Sequence, residues 1–311
     1  MKCSIRWGGQ YGAPQNDRLL HPLLQDPRYA AALARTGALR PKNGLILIND
    51  AEAGLVQAME ARYLGGLIHG ITLDRGPVWF AGFGGAHHVK AFFDEFNRLF
   101  PQRWGRRRRI IPEIADSPVA RKMLESAGLE RVGEGYQTYL LDLTRDLDDL
   151  RAGLAQKWRN VVNKAERTAG LTVEWDHQAR QMPWFLKIYG QDKGRRGYAG
   201  PAPGFLDHLA RLMTPSGDMV IGRAVQDGAA IAAVLIAIHG AGATYLAGWT
   251  GEAGRAAGAH HKLLWEALGM LQQRGIREFD LGGYNDADAA TIGQFKQGMG
   301  GAPYRLAGRY R

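Results

Sequence analysis

A single cysteine, Cys3, stands among 311 residues. No disulfide can form within the chain, so the fold does not depend on an oxidising compartment. Long apolar runs are also missing. The longest nearly uninterrupted one, Ala229 to Ile238, is about half of what a bilayer crossing needs. The opening MKCSIRWGGQ has no apolar stretch that would serve as a signal peptide. Neither histidine pair, His87-His88 or His260-His261, has a carboxylate or cysteine at metal-ligand spacing. The expectation is therefore a cytoplasmic protein with no transmembrane segment, no metal and no resident cofactor.

What the chain has is bulk and positive charge. Hydrophobic residues at 45% and charged residues at 23% match a chain folded throughout. The length is about twice that of a typical single domain. A formal charge of +10 and a pI near 9.8 suit phosphate-bearing partners: nucleotide-linked substrates, RNA or anionic headgroups. The densest charge is WGRRRRIIP, Trp104 to Pro112. Two readings stand for it, RNA phosphates with a stacked base, or a solvated turn leading into a strand.

Strands and helices alternate along the chain. GLILIND (Gly44 to Asp50), the segment Gly66 to Gly82 and Arg106 to Pro118 are β-formers punctuated by Gly and Pro. Between the last two, Val89, Phe92, Phe93, Phe96 and Leu99 recur at helical spacing. Pro118 opens a helix that Gly128 closes, and a strand follows around Tyr136 to Leu143. Leu147, Leu150, Leu154, Trp158, Val161 and Ala165 make one helical stripe, with Arg159, Asn163 and Arg167 on another face.

KGRRGY sets Arg195, Arg196 and Tyr198 in a glycine-flanked loop, a setting that suits an anion clamp. Next come a helix near Phe205 to Met213, an antiparallel meander turning at Asp227-Gly228, a helix over about Gly258 to Arg274, and the strand REFDL. The fold class is α/β (α+β). The second half has the element order of a GNAT acyltransferase domain, with mixed sheets flanked by helices.

Two segments carry a resemblance. The run YLLDLTRDLDDLRAGLAQKWRNVVNKAERTAGL (Tyr139 to Leu171) and the closing GIREFDLGGYNDADAATIGQFKQGMGG resemble, in order, the domain junction and the end of FemABX-type proteins. That resemblance implies two tandem GNAT-like domains, here residues 1–138 and 139–311, with the transfer site in the second. It also implies peptidyltransferase-like chemistry: an aminoacyl group moves from aminoacyl-tRNA to an amine on a phosphate-bearing acceptor, such as a cell-wall precursor. Two alternatives remain open. One is an acyl-CoA- or carrier-dependent N-acyltransferase of a sugar or lipid; the other is a non-catalytic RNA- or membrane-surface-binding module. The long helical hairpin of some family members has no counterpart, and the oligomeric state is left open.

Site residues follow. Amine attack on an ester develops an oxyanion that needs a fixed cation or N–H donors. By resemblance Lys296, bracketed by Phe295 and glycines, would supply that cation, against the reading of a solvated lysine on a last helix, and Phe295, Gly282 and Gly283 would contact the substrate. Asp280 would orient the acceptor amine or take its proton, or else cap the turn of Gly282 and Gly283. Arg159, Asn163, Lys164 and Arg167 would hold a diphosphate, against a solvated helix face. Tyr245 and Trp249 face the acyl-transfer cleft, against a core role. The stretch from Arg255 to His260 matches the pyrophosphate loop of GNAT enzymes only in part, because His260 is bulky where backbone must approach phosphate.

Overall fold

The structure, a computed structural model, describes residues 1–9, 19–37, 39–284 and 289–311. The chain divides into two compact units, Met1–Gln137 with Tyr304–Arg311, and Thr138–Pro303. The expected division left the last eight residues in the second domain, whereas they fold into the first unit.

The first unit is built from β1 (Cys3–Trp7), α1 (Pro27–Ala34), β2 (Arg40–Ile48), β3 (Ala51–Tyr63), β4 (Ile68–Gly76), β5 (Val78–Trp79), α2 (Ala86–Leu99), β6 (Arg106–Pro112), α3 (Pro118–Ser126) and β7 (Arg131–Gly133). Strands β1 to β4 form an antiparallel run, and β6 adds parallel to β4. Helix α2 buries Val89, Phe92, Phe93 and Phe96, the stripe the spacing predicts. Ser117 caps α3 by accepting from Ala120 N–H at 3.0 Å, which contributes about 1 kcal/mol.

Strand β3 escapes a reading by composition. AEAGLVQAMEARY is rich in helix formers, yet β2 and β4 pair with it on either side, and pairing overrides propensity.

The second unit begins with β8 (Gln137–Asp142), followed by α4 (Leu147–Gly153), α5 (Gln156–Glu166), β9 (Thr172–Asp176), α6 (Met182–Arg196), α7 (Pro203–Met213), β10 (Met219–Gln226), β11 (Ala229–His239), β12 (Gly242–Thr250), α8 (Glu252–Ala257), α9 (Ala259–Gln273), β13 (Glu278–Asp280), α10 (Gln294–Gly298) and β14 (Ala302–Arg305). Its sheet runs in the order β14-β8-β13-β12-β11-β10-β9. Asp227 and Gly228 both have positive φ, 51° and 75°, as the two-residue hairpin turn requires. The chain ends on β15 (Arg309–Tyr310), which pairs with β6 and β7 of the first unit and buries Tyr310 completely.

Two expectations change here. The single stripe of Leu147 to Ala165 is two helices, broken where Leu154 turns extended (ψ 135°). The break lets the Ala155 N–H reach the Gly298 carbonyl at 2.9 Å, and Val162 rather than Val161 becomes the fully buried valine. Arg195 and Arg196 lie in the last turn of α6, with left-handed Gly197 (φ 70°) ending it, not in a loop. Two glycines and a proline inside α6 hide it from propensity. Its order comes from burying Phe185 and Tyr189, whose rings stack 5.8 Å apart.

Candidate active site

Strands β12 and β13 are parallel, and they pair at only three positions: Gly242 with Glu278, Ala243 with Phe279 and Thr244 with Asp280. Beyond Thr244 the strands part. Strand β12 continues to Thr250 along β11, with one extra residue, Leu246, bulged between the pairs Ile236–Tyr245 and Leu235–Ala247. A bulge bends its strand and re-aims side chains. The short ladder and the bulge together make an interruption of the sheet, the fork, beside which Tyr245 lies with its carbonyl oxygen against Gly282.

Where β13 ends, Asp280 Oδ1 accepts from the Thr138 hydroxyl at 2.6 Å and from Gly282 N–H at 2.9 Å. Asp280 is buried, and these bonds hold it as the organiser of the turn, the capping role among its two readings. Gly282 has φ +78°, and a β-carbon there would lie 2.7 Å from the Tyr245 carbonyl oxygen. Only glycine fits both constraints.

Lys296 is 5% exposed, so it is not a solvated lysine. Its Nζ donates to the carbonyl oxygens of Gly282 and Gly283, the latter at 3.0 Å, and lies 5.9 Å from the Tyr284 ring centroid. A buried ammonium costs several kcal/mol unless it is bonded; here backbone carbonyls meet that need and keep the charge at the fork. The glycines of FKQGMGG let α10 dock. A β-carbon at Gly298 would meet the Trp158 ring at 2.7 Å, and one at left-handed Gly300 the Gly153 carbonyl at 2.7 Å. Trp158 Nε1 donates to the Phe295 carbonyl at 3.1 Å.

His260, in the first turn of α9, is the residue that sequence reasoning treated only as an obstruction. Its Nε2 lies 3.2 Å from the Tyr245 hydroxyl and its Nδ1 lies 3.1 Å from the Thr250 hydroxyl. One ring nitrogen donates and the other accepts. Burial, then the neighbouring His261, pushes the His260 pKa down to about 4, and burial does the same to His261, so both imidazoles are neutral. The Phe295 ring packs 5.8 Å from His260 and 5.0 Å from His261. Gly248 makes room for the pair, since a β-carbon there would sit 2.6 Å from His260 Cε1. The available signal was position: a histidine one residue into the helix that follows the partial phosphate-loop match.

The remaining predicted residues fall into separate groups. Tyr198 packs beside Tyr189, ring centroids 6.2 Å apart; burial, then Tyr198 and Tyr189, raise the Tyr245 pKa. Arg159 donates from one terminal nitrogen, Nη2, to the carbonyls of Ala152 and Leu154 at 2.8 and 3.0 Å, while its buried Nε has no hydrogen-bond partner among the described residues. Asn163 accepts from Arg151 at 2.7 Å, Lys164 donates to the Ala256 carbonyl at 3.0 Å, and Arg167 is exposed at the end of α5. Arg195 and Arg196 both pair with buried Asp192, at 2.8 and 2.9 Å. Trp249 packs edge-on against Trp184 at 6.2 Å, a packing role.

The stretch Arg255 to His260 is used internally. Gly258 N–H donates to the Arg255 carbonyl, and the His261 and Lys262 N–H groups donate to the Gly258 carbonyl. A β-carbon on left-handed Gly258 would strike Val161 at 2.6 Å. Among the described residues no cluster of His, Cys, Asp and Glu is placed to hold a metal. Among the same described residues no helix is long and apolar enough to cross a membrane. Burial, then Glu95 and Asp94, push the Cys3 thiol up to about 12, which disfavours the thiolate.

A forked parallel pair in a mixed sheet is what known folds can be matched against. Residues 152–297 match the acetyltransferase (GNAT) domain family. The crystal structure of FemX superposes with a TM-score of 0.80 at 16% identity, over 100% of this chain and 96% of that one. The chain has a FemABX-like tandem GNAT fold. A tandem GNAT protein from the clavulanic acid biosynthesis pathway is similar at TM-score 0.51, 11% identity and coverage of 99% and 98%. L-PGS from Bacillus licheniformis is similar at 0.51, 13% identity and coverage of 92% and 91%. No protein of curated function matches the sequence.

Proposed function

We propose that the fork of the second unit is an amide-forming transfer site, moving an aminoacyl group from aminoacyl-tRNA to the amine of a phosphate-bearing acceptor. The observation that carries this reading is the buried Lys296 ammonium held at the fork by the Gly282 and Gly283 carbonyls, beside Tyr245 and His260. The amine attacks the ester carbonyl, a C–N bond forms, the C–O bond breaks, and one amine proton ends on the departing ribose hydroxyl. Lys296 stabilises the oxyanion by its fixed charge, a contribution of about 3 kcal/mol for a preorganised group of this kind. The Tyr245 hydroxyl, oriented by neutral His260, relays the proton between amine and leaving oxygen.

The GNAT-domain match supports acyl transfer as the reaction type, and the fold of FemX supports the choice of donor. An acyl-CoA donor is disfavoured because the bulky His260 stands where backbone must approach a pyrophosphate. The net positive charge suits both a tRNA donor and a phosphorylated acceptor.

The test is a parallel assay of labelled aminoacyl-tRNA and acyl-CoA, with mass spectrometry of an amine-bearing precursor pool as readout. An added aminoacyl mass that depends on tRNA and is lost in Lys296→Met is expected. An acyl mass that depends on CoA alone would overturn the donor, and activity retained by Lys296→Met would overturn the site.

A further inference from the structure

Of the eight exposed large apolar side chains among the described residues of the first unit, four stand at adjoining turns. Tyr63, Leu64 and Leu67 are 50%, 71% and 66% exposed at the β3–β4 hairpin tip, and Trp104, before β6, is 88% exposed. The two turns touch: His69 N–H donates to the Gly105 carbonyl at 2.8 Å, and a β-carbon on left-handed Gly105 would strike the Leu67 carbonyl. Folding gains nothing from this exposure. Leu64 even adopts φ +51°, a left-handed conformation that a bulky residue enters at a cost.

Charge surrounds the tip. Arg106, at the start of β6, has Arg103, Glu60 and Arg62 within electrostatic reach. Arg106 donates to His69 and Arg62 to Glu60. Arg103 and Arg107 are exposed and have no ion-pair partner among the described residues. Aliphatic and aromatic side chains projecting from a rim of arginines fit a surface with an apolar interior and an anionic face. A nucleic acid would use the arginines and Trp104 but gain little from two leucines, which have no ring to stack on a base.

We propose that this tip, Tyr63, Leu64, Leu67 and Trp104 rimmed by Arg103 and Arg107, docks the protein on an anionic lipid bilayer. The leucines and the tryptophan enter the headgroup region, and the arginines meet lipid phosphates. The proposal stands apart from the transfer chemistry, because none of these residues belongs to the fork.

The experiment is flotation of the full chain with vesicles of phosphatidylglycerol and phosphatidylcholine in equal parts, and with phosphatidylcholine alone. Wild-type protein is expected to float with the anionic vesicles and to bind the neutral ones about tenfold or more weakly. The triple variant Leu64→Ser, Leu67→Ser, Trp104→Ser is expected to lose about tenfold or more of the binding, with its melting temperature kept because the side chains are exposed. Arg103→Glu with Arg107→Glu, which removes no apolar contact, is expected to weaken binding to anionic vesicles only. Wild-type protein that fails to float, or variants that float like wild type, would overturn the proposal. So would a gel shift with an RNA oligonucleotide that both variants lose while vesicles go unbound, in which case the tip is an RNA contact.

Discussion

Each unit has a parallel strand pair bridged by helix, and the two pairs end differently. In the first unit β4 and β6 stay paired from His69–Arg106 to Gly76–Pro112, and Arg108 ties β6 to Asn97 and the Phe100 carbonyl at 2.7 and 2.9 Å. In the second unit β12 and β13 part after three pairs. A closed ladder satisfies its own backbone and leaves no room for a ligand, whereas strands that diverge must fill the gap with other groups. Lys296, Tyr245 and His260 fill it. The same arrangement thus appears once with a long ladder and once with a short one.

The comparison can be broken at Lys296. Lys296→Met is expected to lower the transfer rate about 100-fold or more, read from single-turnover kinetics. It should also cost about 1–3 kcal/mol of stability, because the Gly282 and Gly283 carbonyls lose their donor. Wild-type rates in that variant would make the lysine a purely structural clamp.

Glycines sharpen the contrast. Gly248→Ala drives a β-carbon to within 2.6 Å of His260 and is expected to cost about 1–3 kcal/mol and most of the activity. Gly70→Ala in β4 meets only Ala61, at 3.8 Å, and should stay within about 1 kcal/mol of wild type. Urea denaturation of both variants decides, and equal losses would mean that the fork is no tighter than the closed ladder.

Acid probes the same place more gently. His260 and His261, at about 4 against an ordinary 6.5, bind fewer protons folded than unfolded within that window. Stability should therefore fall as pH drops from about 6.5 toward 4 and should be untouched by them above it. His260→Gln with His261→Gln should flatten the slope in denaturation at pH 7 and pH 5; an unchanged slope would place the titration elsewhere.

The smallest effect is expected at Arg159→Met, which frees the Ala152 and Leu154 carbonyls and should cost about 1 kcal/mol. A larger loss in apparent affinity for the phosphorylated acceptor, measured as KM, would restore Arg159 to a binding role.

Much of this architecture was readable. The Phe-rich stripe of α2, the Asp227-Gly228 turn and the order of elements in the second unit follow from periodicity and turn chemistry. Strand β3 and helix α6 were not readable, because each forms against its own composition when neighbours bury it. At the site, the glycine spacing around Lys296 pointed to close backbone approach, and α10 uses it that way. His260 was visible only as bulk. The α5 residues read as diphosphate holders or a solvated face, and Arg195 with Arg196 as an anion clamp; in the fold Arg159 donates to two carbonyls, and Arg195 and Arg196 pair with Asp192.

The sequence by itself determined the α/β class, the GNAT-like order of the second half, the basic surface and the segment that holds the lysine, because these are local patterns of side-chain chemistry. Only the tertiary structure decided that β12 and β13 part after three pairs, that Lys296 is buried against two carbonyls, and that the last strand returns to the first unit. Those depend on which distant segments share a ladder, and pairing between residues far apart leaves no periodic mark on either one.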